Sequence, residues 1–299
     1  MSTPITPLPQ QSFAEFAPEM RAPAPSIDPD NPPWGIISAV LMWLASIIVL
    51  GLIPFFGVYM YLVYRGIPAT PEAFNRAVTV EPQGIFVSII SVIPSHLITV
   101  GLGWALVTGF GKRPFWQTLG WRFGERFGLW ASVCLSVLLF LMGGVILHFV
   151  GGAETAIDNI ITSSNASRFT TAFLATATAP LVEELIYRGV LYPALQRTLG
   201  VFRAIILVTA LFALVHAPQY SNNLGVILTI TILSFTLTYV RARTGRLLPC
   251  FIIHLVFNGI QSVFIVLQYF YPQLSDPAKT GSLLLTPLLP NAPLLLPAC

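Results

Sequence analysis

Long stretches of this chain carry no charge. Residues 31–64, 82–111, 127–153, 204–240 and 247–275 contain no Asp, Glu, Lys or Arg. A helix needs about 20 apolar residues to cross the hydrocarbon core of a bilayer, so each run is long enough for a span. The 204–240 run is too long for one span, and it breaks at Ala217-Pro218-Gln219-Tyr220-Ser221-Asn222-Asn223, a turn composition. A further apolar segment follows Arg168, although Glu183, Glu184 and Arg188 lie inside it. The pattern predicts about seven spans, near 35–64, 84–110, 127–150, 169–196, 203–217, 224–241 and 247–271. The expected fold is all-α, a polytopic transmembrane helix bundle.

Composition agrees. The chain has 15 basic and 12 acidic residues among 299, or 9% charged, against roughly a quarter in a soluble domain. That excludes a soluble globular enzyme and a disordered chain. A net charge of +3 forms no basic stripe, so no nucleic-acid partner is expected. Cys134, Cys250 and Cys299 show no CxxC spacing and indicate neither a disulfide framework nor a thiolate metal site.

Lys and Arg set the orientation. With seven spans, the N-terminal tail and loops 111–126, 197–203 and 241–246 share a side that holds ten basic residues, against four on the other. The N-terminus is therefore expected in the cytoplasm, most simply across the plasma (inner) membrane. Residues 1–33, with nine prolines, read as a flexible tail and not as a signal peptide. Three helices are expected within 34–160, a functional core within 161–271, and a Leu- and Pro-rich tail over 272–299.

Ionisable groups inside a span are costly and mark function by default. Span four carries Glu183-Glu184-Leu185-Ile186-Tyr187-Arg188-Gly189, span five ends in Phe212-Ala213-Leu214-Val215-His216, and span seven carries His254-Leu255-Val256-Phe257-Asn258. At a rise of about 1.5 Å per residue, Glu183, His216 and Asn258 lie about 18–21 Å from the basic end of their spans. This shared depth predicts one polar cavity between spans four, five and seven. Glu184 and Arg188 are spaced i,i+4 and can pair. Glu183 points about 100° away and remains free for chemistry. Burial should raise its pKa toward that of a general base. A carboxylate, two imidazoles and an amide around water suit hydrolysis: Glu183 and His216 to activate water, Asn258 and an imidazole to hold an oxyanion. Glu183, His216 and His254 would equally suit a catalytic zinc with an open position. The spacing leaves metal-bound and directly activated water both open.

Other polar and aromatic residues have plainer readings. His96 follows Pro94 and is expected to satisfy a freed carbonyl. His148 is interfacial. Trp34, Trp43, Tyr59, Tyr61 and Tyr64 read as interface anchors. Gly101, Gly103, Gly143 and Gly144 read as sites of close helix packing.

The three polar segments resemble the EExxxR, FxxxH and HxxxN/D motifs of the CPBP (Abi) intramembrane proteases, relatives of the type II CAAX prenyl endopeptidases. Arg243-Thr244-Gly245-Arg246-Leu247-Leu248-Pro249 is similar to the family's approach to the third motif. The likeness covers about 170–260. It implies an intramembrane endopeptidase acting on a membrane-associated protein or peptide, prenylated or leader-bearing. Glu183 and His216 would activate water, His254 and Asn258 would form the oxyanion site, and Glu184 and Arg188 would support them. Family members are described both as metalloproteases and as glutamate enzymes. The family also includes bacteriocin-immunity proteins and scaffolds without known proteolysis, so a non-catalytic role is the alternative expectation.

Overall fold

With no water to take up backbone polar groups, an apolar run in a bilayer must satisfy them within a helix. The computed structural model, which describes residues 27–125 and 127–271, follows this rule: helices dominate, and the described residues hold no strand. The chain is a polytopic all-α integral membrane protein. Among the described residues, six helices are long and apolar enough to cross: Ile36–Tyr64, Pro82–Thr108, Leu129–Val150, Val201–Gln219, Leu224–Thr244 and Leu248–Phe270. The seventh stretch expected from the sequence is a helical run over 165–199, which carries the intramembrane charges.

In chain order these seven and two short helices between them are α1 (Ile36–Tyr64), α2 (Pro71–Thr79), α3 (Pro82–Thr108), α4 (Leu129–Val150), α5 (Ala156–Ser163), α6 (165–199), α7 (Val201–His216), α8 (Leu224–Thr244) and α9 (Leu248–Phe270). The short helices are built by their caps. Thr70 accepts from Ala73 N–H ahead of Pro71 in α2, and Thr155 and Asp158 form a capping box on α5. Gly245 ends α8 with φ 64°, a left-handed conformation that favours glycine.

Helix α6 is central. Val182, Leu185, Ile186, Val190, Leu191 and Leu195 pack against Ala39 and Met42 of α1, Val107 of α3, and Ala204, Val208 and Phe212 of α7. A second cluster joins Leu139 of α4, Leu233 and Leu237 of α8, and Ile253 and Phe257 of α9. Large apolar side chains on the outer faces, such as Ile48 and Phe55 of α1 and Leu138 and Leu141 of α4, are exposed, as lipid-facing residues would be.

Loops meet at both ends. At the basic end, Leu247 N–H bonds to Gly120 O, Arg197 to Asn31 Oδ1 and the carbonyls of Pro32 and Trp34, and buried Arg241 to Asp30 and Pro29 O. Residues 29–34 are thus fastened to the bundle, and the tail boundary expected at 33 falls inside a docked segment. Residues 1–26 and 272–299, with most of both expected tails, lie outside the described residues, as do the counted Arg21, Arg126 and Lys279. At the other end, Ala153 N–H bonds to Asn222 O and Gly225 N–H to Gly151 O.

Two of the expected interface anchors pack inward, one buried and one half-buried. Trp34 is buried and donates from Nε1 to Val190 O, and Trp43 donates to the Tyr187 hydroxyl. Indole nitrogens meet partners there that lipid would not offer. The glycines divide as well. A Cβ on Gly103 would lie 2.7 Å from Leu185 Cδ2 and one on Gly143 2.8 Å from Thr229 Cγ2, whereas Gly101 and Gly144 face open space. Gly103→Val is therefore expected to destabilise the protein by about 1–3 kcal/mol. Gly101→Val should leave the unfolding midpoint near the parent's. Thermal unfolding of the detergent-solubilised protein checks both, and equal midpoints for the two variants would refute the close contact.

Candidate active site

Helix α6 is not one regular helix. It contains two π-helical stretches, Leu174–Thr178 and Leu185–Leu191. Each is followed by one residue whose N–H reaches five residues back, Ala179 to Leu174 O and Tyr192 to Tyr187 O. The next residue is proline in both cases, Pro180 and Pro193. A proline ring clashes with the carbonyl four residues back and offers no N–H, so a wider register relieves the clash. In that register Pro180 would have served Ala175 O. The Asn258 side chain serves it instead, donating from Nδ2 at 3.0 Å. Such π-bulges recur at functional sites.

Glu183 and Glu184 lie at the end of the α segment Ala179–Glu184 and face different partners. Glu184 is fully buried. Its Oε1 accepts from Arg188 Nη1 at 2.9 Å and His254 Nδ1 at 2.8 Å. Arg188, also fully buried, donates further to Thr238 Oγ1 at 3.2 Å and to Ser234 O and Oγ at 2.9 and 2.8 Å. A carboxylate and a guanidinium at zero exposure are thereby balanced and tied to α8 and α9.

Glu183 is partly open, with 24% of its side chain exposed. Its Oε1 lies 3.9 Å from His216 Nε2 and its Oε2 3.7 Å from His254 Nε2. These are too long for direct hydrogen bonds and suit groups that share a small molecule between them. Each ring is fixed through its other nitrogen. His216 Nδ1 donates to Phe212 O at 2.8 Å, and His254 Nδ1 donates to Glu184. Both Nε2 atoms are therefore turned toward Glu183. The Phe212 ring sets the second motif. It stacks on His216 at 4.5 Å and carries the Arg188 guanidinium 4.9 Å from its centroid.

The structure thus brings Glu183, His216 and His254 together from α6, α7 and α9, with Glu184 and Arg188 beneath them. Asn258 lies one turn beyond His254, with one amide hydrogen committed to Ala175 O. Sequence reasoning missed two neighbours. Tyr220, read only as part of a turn, has its phenol pushed up to about 12 by burial and by the charges of Glu183 and Asp158. His96 binds the Thr178 hydroxyl through Nδ1 at 2.8 Å and not a backbone carbonyl. It lies about 18 Å from the end of α3, level with Glu183, and this depth was the signal that could have found it. An apolar cavity of about 360 Å³ is lined by Val100 and Trp104 of α3, by Trp116 and Trp121, and by Leu181 and Leu185 of α6 among others, but by none of Glu183, His216, His254 or Asn258.

The donor set fits a metal poorly as placed. Among the described residues, no three His, Cys, Asp or Glu side chains converge as a metal site. His216 and His254 face different oxygens of Glu183, so a single ion would have to take the carboxylate through both oxygens or draw the two rings closer.

Residues 165–260 match the family described as Type II CAAX prenyl endopeptidase Rce1-like. That match contains all three polar motifs, so the CPBP-type resemblance read from them is supported. The chain is also similar to YdiL of Bacillus subtilis (strain 168), described as a candidate membrane peptidase, with 26% identity over 148 residues. The aligned part is 48% of this chain and 57% of the relative, so the chain spans little more than half of the relative's length. No solved structure matches.

Proposed function

We propose that this protein is an intramembrane endopeptidase that hydrolyses a peptide bond of a membrane-associated protein or peptide. The observation that carries the reading is the Glu183 carboxylate set between two imidazole Nε2 atoms, each ring locked through Nδ1. A water held by Glu183 and His216 loses a proton to the carboxylate as it attacks the scissile carbonyl. The oxyanion that forms is met by His254, whose ring the Glu184 carboxylate holds in place, and by the free amide hydrogen of Asn258. The apolar cavity between α3 and α6 would accept an apolar part of the substrate, such as a prenyl group or the flank of a leader segment. Ten basic residues against four favour a cytoplasmic N-terminus in a plasma membrane.

The test is cleavage of an internally quenched peptide by the full chain in lipid vesicles. His216→Ala and His254→Ala are each expected to lower kcat by about 10²-fold or more. Parent rates in both variants would favour a scaffold or immunity protein. Exhaustive chelation is expected to leave the rate unchanged. A loss restored by zinc would instead assign Glu183, His216 and His254 to a metal.

A further inference from the structure

Helix α1 and the residues just before it lie outside the segment that matches the family, yet two indoles there donate into the second π stretch of α6. Trp34 Nε1 meets Val190 O at 3.1 Å, and Trp43 Nε1 meets the Tyr187 hydroxyl oxygen at 3.2 Å. The first bond fastens backbone. The second fixes a side chain, because Tyr187 is 5% exposed and the Trp43 indole is the hydrogen-bond partner its hydroxyl has among the described residues. A phenol in an apolar interior is costly without such a partner. The Tyr187 ring meets the Phe212 ring edge-on at 4.9 Å, and Phe212 is fully buried. Phe212 holds His216 twice: its ring stacks on the imidazole at 4.5 Å, and its carbonyl takes the Nδ1 hydrogen at 2.8 Å. It also stands edge-on to the His254 ring at 6.1 Å. Trp43, Tyr187, Phe212 and His216 thus form an unbroken series of contacts from α1 through α6 to α7, ending on the imidazole that faces Glu183.

We propose that Trp43 is a positioning residue for the hydrolysis, acting through Tyr187 and Phe212 on His216. This rests on the hydrolase reading. His216 Nε2 stands 3.9 Å from Glu183 Oε1, a gap that suits a water held from both sides. Rotation of Phe212 would tilt the imidazole stacked on it and turn Nε2 away from that water. A displacement of about 1 Å caused by a remote change can cost 10²-fold in rate. The Trp43 bond touches no substrate, so affinity for the peptide is left alone and the loss falls on kcat. Trp34 is the contrast. It also ties the start of α1 to α6, but its acceptor is a backbone carbonyl three residues past Tyr187, outside the series of rings.

The experiment separates position from stability. Trp43→Phe removes the donor and Tyr187→Phe the acceptor, and each keeps an aromatic ring. These two, their double variant and Trp34→Phe are assayed as full-length proteins in vesicles on the quenched peptide, beside unfolding midpoints in detergent. Both single variants of the Trp43–Tyr187 pair are expected to lose about tenfold in kcat, with KM within about twofold of the parent's. The double variant should lose no more than the worse single variant, because both remove the same bond. Trp34→Phe should lower the midpoint at least as much as Trp43→Phe and keep kcat within about twofold of the parent's. Equal kcat losses at all three positions would tie the rate to stability and overturn the proposal, as would a double variant whose loss is the product of the single losses. A Glu183-dependent rate indifferent to Trp43 and Tyr187 would overturn this role alone. A parent without Glu183-dependent cleavage would overturn the hydrolase reading and this role with it.

Discussion

Glu183→Gln is expected to lower peptide hydrolysis by roughly 10²–10⁴-fold, the usual contribution of a positioned base, while the folded protein stays as stable as the parent. The amide keeps the shape of the carboxylate and removes the basic oxygen. Stability should survive because Glu183 makes no direct hydrogen bond that holds the bundle. Its nearest partners are imidazole nitrogens at 3.7 and 3.9 Å, and a quarter of the side chain is exposed. The measurement pairs kcat in vesicles with the thermal unfolding midpoint in detergent. A rate near the parent's would sink the assignment of Glu183 as base. A rate lost together with the midpoint would show that the residue holds the fold.

Glu184, one residue away, is the reverse case, and the contrast shows what a sequence can and cannot disclose. The 100° step between the two carboxylates was enough to assign Arg188 to Glu184 and leave Glu183 free, because that step belongs to helix geometry and needs no tertiary knowledge. The common depth of Glu183, His216 and Asn258 likewise followed from counting residues from the basic ends. Three things did not follow. The π stretches arise from a backbone register, and no pattern of apolar residues encodes a register. Only Pro180 and Pro193 mark where it fails. The Asn258 contact to Ala175 depends on that register, so the residue was read for chemistry without its structural bond. His254 was read as a site residue without its bond to Glu184, because a contact across 70 positions is set by how α6 and α9 pack. Trp34, Trp43 and the docked 29–34 segment were missed for the same reason: aromatic residues at a helix end look alike whether they face lipid or a neighbouring helix.

Arg188→Met is expected to destabilise the protein by about 3–5 kcal/mol, the cost of leaving a buried charge without its partner. The guanidinium makes four hydrogen bonds, to Glu184, Thr238 and both acceptors of Ser234, at zero exposure. Glu184 already has one oxygen, Oε2, sealed without a partner. Without Arg188 only His254 would remain to balance the carboxylate, and His254 would be drawn toward it and away from Glu183. Loss of stability and loss of activity should therefore come together, unlike in Glu183→Gln. The double variant Glu184→Gln/Arg188→Met removes both charges, since buried pairs contribute less than their separate deletions cost. It is expected to recover at least half of the lost stability. Activity should stay low, because a neutral amide holds the His254 ring less firmly than the carboxylate does. Unfolding midpoints of the three proteins in the same detergent, read beside kcat, test the scheme. An Arg188→Met midpoint equal to the parent's would show that the bundle does not depend on this pair. Full activity in the double variant would show that the Glu184 carboxylate is not needed to position His254.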